Sequence, residues 1–209
     1  MKTAKNNLVY QFRIELNDIN PLIWRRILVP SKYSFWDLHV AIQNSMGWLD
    51  YHLHAFRPHK PHKGKIVEIG IPHEDALEVE ILPGWEIPIT DYFTEPGKAV
   101  MYEYDFGDCW VHNVLLEDIL PKEKGVKYPK CIAGERACPP EDCGSVPGYY
   151  QFLEIIKNPA HHEYRDTIDW LKGHAKNYYP YDPDGFDPEQ VHFWNPKKRW
   201  QIAFSERGD

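Results

Sequence analysis

Residues 8–16 place the strongest constraint on this chain. Leu8, Tyr10, Phe12, Ile14 and Leu16 alternate with Gln11, Arg13 and Glu15. A period of two puts the first set on one face of an extended strand and the second set on the other. Such a strand needs an apolar layer to cover one face only. Asn17-Asp18-Ile19-Asn20-Pro21 is turn chemistry. Leu22 to Val29, rich in β-branched and aromatic residues, is the expected return strand. Arg25 and Arg26 fall on its opposite faces, so at least one must reach solvent or a carboxylate.

The covering layer follows directly. Ser34-Phe35-Trp36-Asp37 reads as a capping box. Phe35, Leu38, Ile42, Met46 and Leu49 recur at helical spacing, and Gly47 marks the end of the helix. His52 to Arg57 is the next expected strand. Hairpin, helix and strand in this order define an α+β layer, β-grasp-like in its opening. Six prolines interrupt residues 58–98. Lys65 to Ile69 and Leu77 to Leu82 are expected strands there, and Ile89 to Phe93 a helical turn. Val100 to Asp105 and Trp110 to Glu117 form a second hairpin around Phe106-Gly107-Asp108.

Residues 121–147 read as a long loop holding three of the four cysteines, and a loop of that length is functional or held in place. Tyr149, Phe152, Leu153 and Ile156 follow helical spacing, as do Tyr164, Ile168 and Leu171. Asp187-Pro188-Glu189-Gln190 is a start signal for a short last helix. The expected architecture is one α+β domain over residues 1–209, with a core over about 8–195 and C-terminal helices over about 147–195 packed on the sheet.

Composition narrows the class. With 43% hydrophobic and 26% charged residues the chain is globular, not disordered. A net charge of −7 does not support a nucleic-acid-coating protein. Short basic clusters at Lys60/Lys63/Lys65, Lys122/Lys124/Lys127/Lys130 and Lys197/Lys198/Arg199 read as solvated faces. No apolar run exceeds four residues and the first residues lack an apolar leader, so no membrane partner is expected and a cytoplasmic location is. The cysteines are then reduced thiols or metal ligands.

Three groups of residues could carry chemistry. His52 and His54, two apart on a strand, would share a face and could share a metal ion or flank an anion. Asp105, Asp108, Trp110 and His112 form the densest polar–aromatic cluster; Asp105, Asp108 and His112 are ligand types that suit Zn, Mn or Fe, and Asp beside Gly also serves a turn. Cys131, Cys138 and Cys143 could hold zinc and order their loop, although no C-x2-C pair is present. Glu141 and Asp142 stand next to them. No nucleotide-binding, serine-hydrolase or zinc-protease motif is present.

Several strings occur together: Pro21-Leu22-Ile23-Trp24-Arg25-Arg26-Ile27, the run from Phe35 through Leu38-His39 and Ile42-Gln43 to Met46-Gly47-Trp48, His52-Leu53-His54-x-Phe56, Tyr104-Asp105-Phe106-Gly107-Asp108-x-Trp110-x-His112, and Tyr128-Pro129-x-Cys131 through Gly134-Glu135-Arg136-Ala137-Cys138-Pro139-Pro140-Glu141-Asp142-Cys143-Gly144. Together they resemble the plasmid pRi ORF-three-like family, also described as insertion-element passenger, TnpR-like proteins. The resemblance implies a single α+β domain in bacteria and archaea, associated with mobile elements. It departs from the family pattern in two places: Ser145 stands where a second glycine is usual, and Cys109 where a small residue is. No serine-recombinase motif supports a resolvase role.

The expected function is a soluble binding or interaction module associated with mobile genetic elements, whose partner is a protein, a small ligand or a mobile-element nucleoprotein complex; nucleic acid stays open as a partner although the net charge does not support it. The alternative is a metal-dependent hydrolase, phosphodiesterase- or nuclease-like, using the His/Asp cluster. Zinc or another divalent metal is the cofactor such residues would take. Pocket candidates are His52, His54, Asp105, Asp108, Trp110, His112, Glu141 and Asp142.

Overall fold

A computed structural model describes residues 7–59, 62, 64–73 and 79–205. Its elements are β1 (Leu8–Leu16), β2 (Ile23–Pro30), α1 (Phe35–Met46), β3 (His54–Arg57), β4 (Val67–Gly70), β5 (Glu80–Pro83), β6 (Ala99–Tyr104), β7 (Trp110–Pro121), β8 (Lys130–Glu135), α2 (Ser145–Lys157), α3 (Tyr164–Gly173) and α4 (Pro196–Phe204). Short 3₁₀ turns cover Ile89–Asp91 and Pro188–Gln190. The fold is α+β. All the strands join one eight-stranded sheet in the order β5-β4-β3-β6-β7-β1-β2-β8. Neighbours are antiparallel except β4 and β5. The strand after the helix does not touch the first hairpin: β6 and β7 lie between them.

The alternation of residues 8–16 decides which face is covered. Phe12, Ile14 and Leu16 are fully buried with Ile23, Ile27 and Val29 of β2 and Phe35, Leu38 and Ile42 of α1. The opposite face carries charge in cross-strand pairs. Arg26 grips Glu117 through two nitrogens at 2.5 and 2.7 Å, Gln11 donates to the same carboxylate, and Arg57 bonds Glu68 and Glu103. Such pairs fix register more than they add stability at a half-exposed surface. The two edge strands are short: β5 ends in Pro83, and β8 begins with Lys130 and ends with Glu135.

The capping box of α1 forms as expected. Ser34 Oγ accepts from Asp37 N at 3.2 Å, and Asp37 accepts from Ser34 N at 3.0 Å. Gly47 ends the helix at φ +94, a left-handed position glycine adopts without strain. Leu49 therefore lies beyond the helix rather than on its stripe.

Other expectations need correction. The loop over 121–147 contains β8, because Lys130 to Glu135 pairs antiparallel with β2. Its apolar alternation is too weak to read: only Cys131 is buried. Residues 188–190 form a single turn, and the last helix is α4, capped by Asn195 with Pro196 at its first position. Arg199 is not on a solvated face; its Nε lies 2.7 Å from Asp50 Oδ2. Lys60, Lys63 and Leu77 lie outside the described residues.

Arg25 resolves the question raised by its neighbour. Arg26 takes the carboxylate, and Arg25 is buried at 1% exposure. It pairs with backbone instead. Its Nε donates to Ser45 O at 2.8 Å, and one terminal nitrogen donates to Trp24 O at 2.8 Å and Glu135 O at 2.9 Å. The Phe186 ring lies 3.7 Å from the guanidinium carbon. Gly134 makes room for this stack, since a Cβ there would come within 2.5 Å of the Phe186 ring. Ser45 is in the last turn of α1, where the helix dipole is negative, so the cation sits where backbone charge favours it. Burial still lowers its pKa from the usual guanidinium value.

Arg25→Met is expected to lower stability by about 3 kcal/mol or more, because it strands three carbonyls in the interior. Arg25→Lys should recover only part of this, since one ammonium cannot reproduce the planar fork. Urea unfolding of the three proteins measures both.

Candidate functional site

The polar cluster forms where three irregular segments meet. These are the strap between α1 and β3, the turn between β6 and β7, and the loop that runs from β8 into α2. Each is pinned by hydrogen bonds to the core. Glu141 is the central pin. It is buried at 1% exposure, its Oε2 accepts from Leu49 N at 2.7 Å, and its Oε1 accepts from the Tyr104 hydroxyl. Burial, then the neighbouring carboxylate, raises the Tyr104 pKa far above that of a free phenol. Tyr104 also accepts from Tyr51 N at 3.1 Å, and Trp48 donates to Pro139 O at 3.0 Å. Strap and loop are thus tied by side chains at successive residues.

Asp108 ties the turn to the loop, its Oδ2 accepting from Gly144 N at 3.1 Å. Asp105 Oδ1 accepts from Gly107 N at 2.9 Å, which is the turn role its neighbours suggest. Its second oxygen remains available and lies 3.6 Å from His52 Nε2. The same nitrogen is 3.1 Å from Asp142 Oδ1. One atom from each of His52, Asp105 and Asp142 therefore falls within 4.8 Å of the other two. Asp105 is 7% exposed, whereas the Asp142 side chain is 54% exposed, so the triangle opens to solvent on one side. His174, on the segment after α3, comes within 4.0 Å of the other Asp142 oxygen. Its Nδ1 already accepts from Lys176 N, which leaves Nε2 to carry the proton and face the carboxylate.

Asp105, Cys109, Asp142 and Ser145 all have left-handed backbone, at φ +58, +56, +60 and +66. Few non-glycine residues adopt it, aspartate being among the more tolerant. Ser145 and Cys109, the two positions where the sequence resemblance leads one to expect glycine or a small residue, are among these four. A left-handed backbone favours such residues there.

The other sequence candidates go elsewhere. His52 and His54 do not share a face, because the strand begins only at His54 and the strap before it is irregular. His54 is buried and stacks flat on His39, ring centres 3.4 Å apart. Burial, then His39 and Arg199, lowers its pKa well below the usual value. His112 is buried in β7 with Nδ1 3.3 Å from Tyr102 O, and burial pushes its pKa down to about 4. Trp110 is core, packed with Trp48.

The cysteines form no metal-ligand group among the described residues. Cys131 faces Ala133 O at 3.6 Å, and burial holds Cys138 up at about 12 and Cys143 above the usual thiol range. Their loop is held by Glu141, Asp108 and β8. His174 is a site neighbour that sequence reasoning passed over, and Tyr104 stood in the polar–aromatic string without a role assigned to it.

An eight-stranded α+β sheet with a His/Asp triangle at the junction of three loops defines the class. The chain belongs to the family of plasmid pRiA4b ORF-3-like proteins, whose model matches residues 8–190. It is similar to a crystal structure of MM3350 from Methanosarcina mazei Go1, a protein of unknown function, with 42% identity, a TM-score of 0.77, and coverage of 89% of this chain and 98% of that one. It is also 31% identical over 169 residues to the uncharacterised protein y4hQ of Sinorhizobium fredii, covering 78% of this chain and 80% of the relative. No helix among the described residues is long and apolar enough to cross a membrane.

The buried histidines set an expected pH dependence. His112 titrates near 4 when folded and near 6.5 otherwise. The unfolded chain therefore takes up the proton first as pH falls. Stability is complete above about 6.5 and drains toward pH 4 at about 1.4 kcal/mol per unit, roughly 3 kcal/mol in all for this residue. His54 acts in the same direction. In urea unfolding from pH 7 to pH 4, His112→Asn should lose less stability than the parent protein.

Proposed function

We propose that this protein is a binding module whose ligand site is built on a divalent cation held by His52, Asp105 and Asp142. The observation that carries this reading is the approach of the three ligand atoms to within 4.8 Å of one another from three separate segments. Ligand atoms about 2.1 Å from a tetrahedral zinc ion lie about 3.4 Å apart. The His52 contacts of 3.1 and 3.6 Å bracket that spacing. One imidazole with two carboxylates suits zinc or manganese. Asp108 and Glu141 support the site by holding its loops, and His174 faces the outer oxygen of Asp142.

A second reading has an observation of its own. Asp142 also lines a cleft of about 210 Å³ between α2 and α3, with Phe152, Thr167 and Trp170 in its walls. A cation with three protein ligands and an open side beside a cleft is the arrangement that metal-assisted hydrolysis uses. This supports a phosphodiesterase-like activity as the alternative.

The test is calorimetric titration of the chelator-treated protein with Zn²⁺ and Mn²⁺. One ion per chain is expected. Asp105→Asn and Asp142→Asn should each weaken it at least about tenfold, since even outer partners of a metal site cost that much. Stoichiometric binding unaffected by either variant, or no binding, would remove the proposal. The loaded protein is then offered bis(p-nitrophenyl) phosphate. Turnover abolished by Asp105→Asn would establish the hydrolase, and absence of turnover would leave the binding module alone.

A further inference from the structure

The chain over residues 176–190 passes the end of α1 and the loop after β8, and the three enclose a cavity of about 430 Å³. None of His52, Asp105 and Asp142 lines it. The volume is within the range of small-molecule sites. Arg25, Lys176 and Tyr178 share its wall with Met46, Pro139 and Phe186. One side of the wall is therefore polar and basic, and the rest is apolar.

The polar side holds more donors than it uses. Arg25 donates through Nε to Ser45 O and through Nη1 to Trp24 O and Glu135 O, which engages three of its five N–H groups. Nη2 keeps the other two. It has no hydrogen-bond partner among the described residues, and it is not one of the polar atoms sealed from solvent, so an oxygen atom in the cavity can touch it. Lys176 Nζ donates to Gly47 O and has two further hydrogens. The Tyr178 hydroxyl accepts from Glu141 N at 3.2 Å, and its own proton has no acceptor among the described residues. Holding the end of α1 thus accounts for only part of what these side chains offer.

The charges indicate which ligand. Neither Arg25 nor Lys176 pairs with a carboxylate among the described residues, and Arg25 is 1% exposed. Buried charges are otherwise paired. Arg25 also helps to lower the Lys176 pKa, so the two cations are within electrostatic reach of each other. Glu141 acts on Lys176 as well, but its oxygens are taken by Leu49 N and the Tyr104 hydroxyl. Asp182 stands at the rim with Oδ1 turned back to accept from Asp184 N at 3.1 Å. Two cations against this one carboxylate leave a single positive charge on the wall, which suits a monoanion. We infer that this cavity binds a small organic carboxylate with an apolar body, its oxygens taking the spare donors of Arg25 Nη2, Lys176 Nζ and the Tyr178 hydroxyl.

The probes are benzoate and benzamide, which share a shape but differ in charge. Each is titrated into the isotope-labelled, chelator-treated full chain, and amide shifts are followed. Shifts centred on Gly47, Lys176 and Gly185 are expected, with benzoate bound at least about tenfold more tightly than benzamide, the worth of one hydrogen bond to a charged group. Lys176→Met should weaken benzoate about tenfold and benzamide little. Lys124→Met, which removes the same charge from an exposed loop outside the cavity, should change neither. Because Lys176 also caps α1, the comparison of ligands on the parent protein decides if that variant is unstable. A carboxylate arrives as a free acid or at the end of a peptide chain. Binding of N-acetylphenylalanine more tightly than benzoate supports the site with a chain end as its source, and its exclusion supports it with a free acid. Equal binding of benzoate and benzamide, shifts elsewhere, none with benzoate, or equal weakening by the two lysine variants overturns the site. Displacement of benzoate by an equal concentration of inorganic phosphate overturns an organic carboxylate as its ligand. Chelation keeps the result separate from the cation reading.

Discussion

The C-terminal end of α1 is where this structure is tied together. Arg25 reaches it from β2 and bonds Ser45 O, and Lys176 reaches it from the segment after α3 and bonds Gly47 O. Two cations thus meet the carbonyls a helix end leaves unsatisfied, on the side where its dipole is negative. Arg25 also bonds Glu135 O, so the same side chain fixes β8 and the start of the cysteine-bearing loop. The positions of Glu141 and Asp142 follow from that anchor, since they leave β8 only a few residues later. Removing the guanidinium would release an edge strand, a helix end and the approach to the polar cluster together.

The strap that leaves this helix end serves both sides of the molecule. Leu49 and Tyr51 bond the core through Glu141 and Tyr104, Asp50 bonds His39 and Arg199, and His52 faces Asp105 and Asp142. Tyr51, bonded to Tyr104, is the immediate neighbour of His52, so the residue fixed to the core holds the one that faces the two aspartates.

Local patterns made much of the fold legible. The period of two in residues 8–16, the capping box at Ser34 and the glycine at position 47 each depend on neighbours in sequence, and each gave the observed element. β8 escaped because an edge strand with one buried residue has almost no alternation to read. The polar cluster was legible in part. Asp105, Asp142 and His52 were visible as ligand types, but their meeting depends on three loops whose path is set by long-range bonds such as Glu141 to Leu49. His52 and His54 illustrate the limit. Their spacing suggests a shared face only if both lie on a strand, and the strand starts two residues too late for that. The cysteines were conspicuous by type, whereas their burial, which keeps them protonated, depends on packing.

Among the described residues the sheet is open, with β5 and β8 at its two ends, and both are poor templates for another strand. β5 has four residues and ends in Pro83, which has no N–H to offer. β8 carries Lys130 and Glu135 at its ends, and its pairing with β2 shifts register between Arg26 and Ile27. A guest strand would meet a four-residue ladder ending in proline on one side and, on the other, a strand packed against the turn at Pro188–Gln190. Recognition by strand addition is therefore disfavoured in this protein, and so is growth of the sheet from one molecule to the next at high concentration. The fold directs its encounters to loops and helix ends and leaves the edges of the sheet inert.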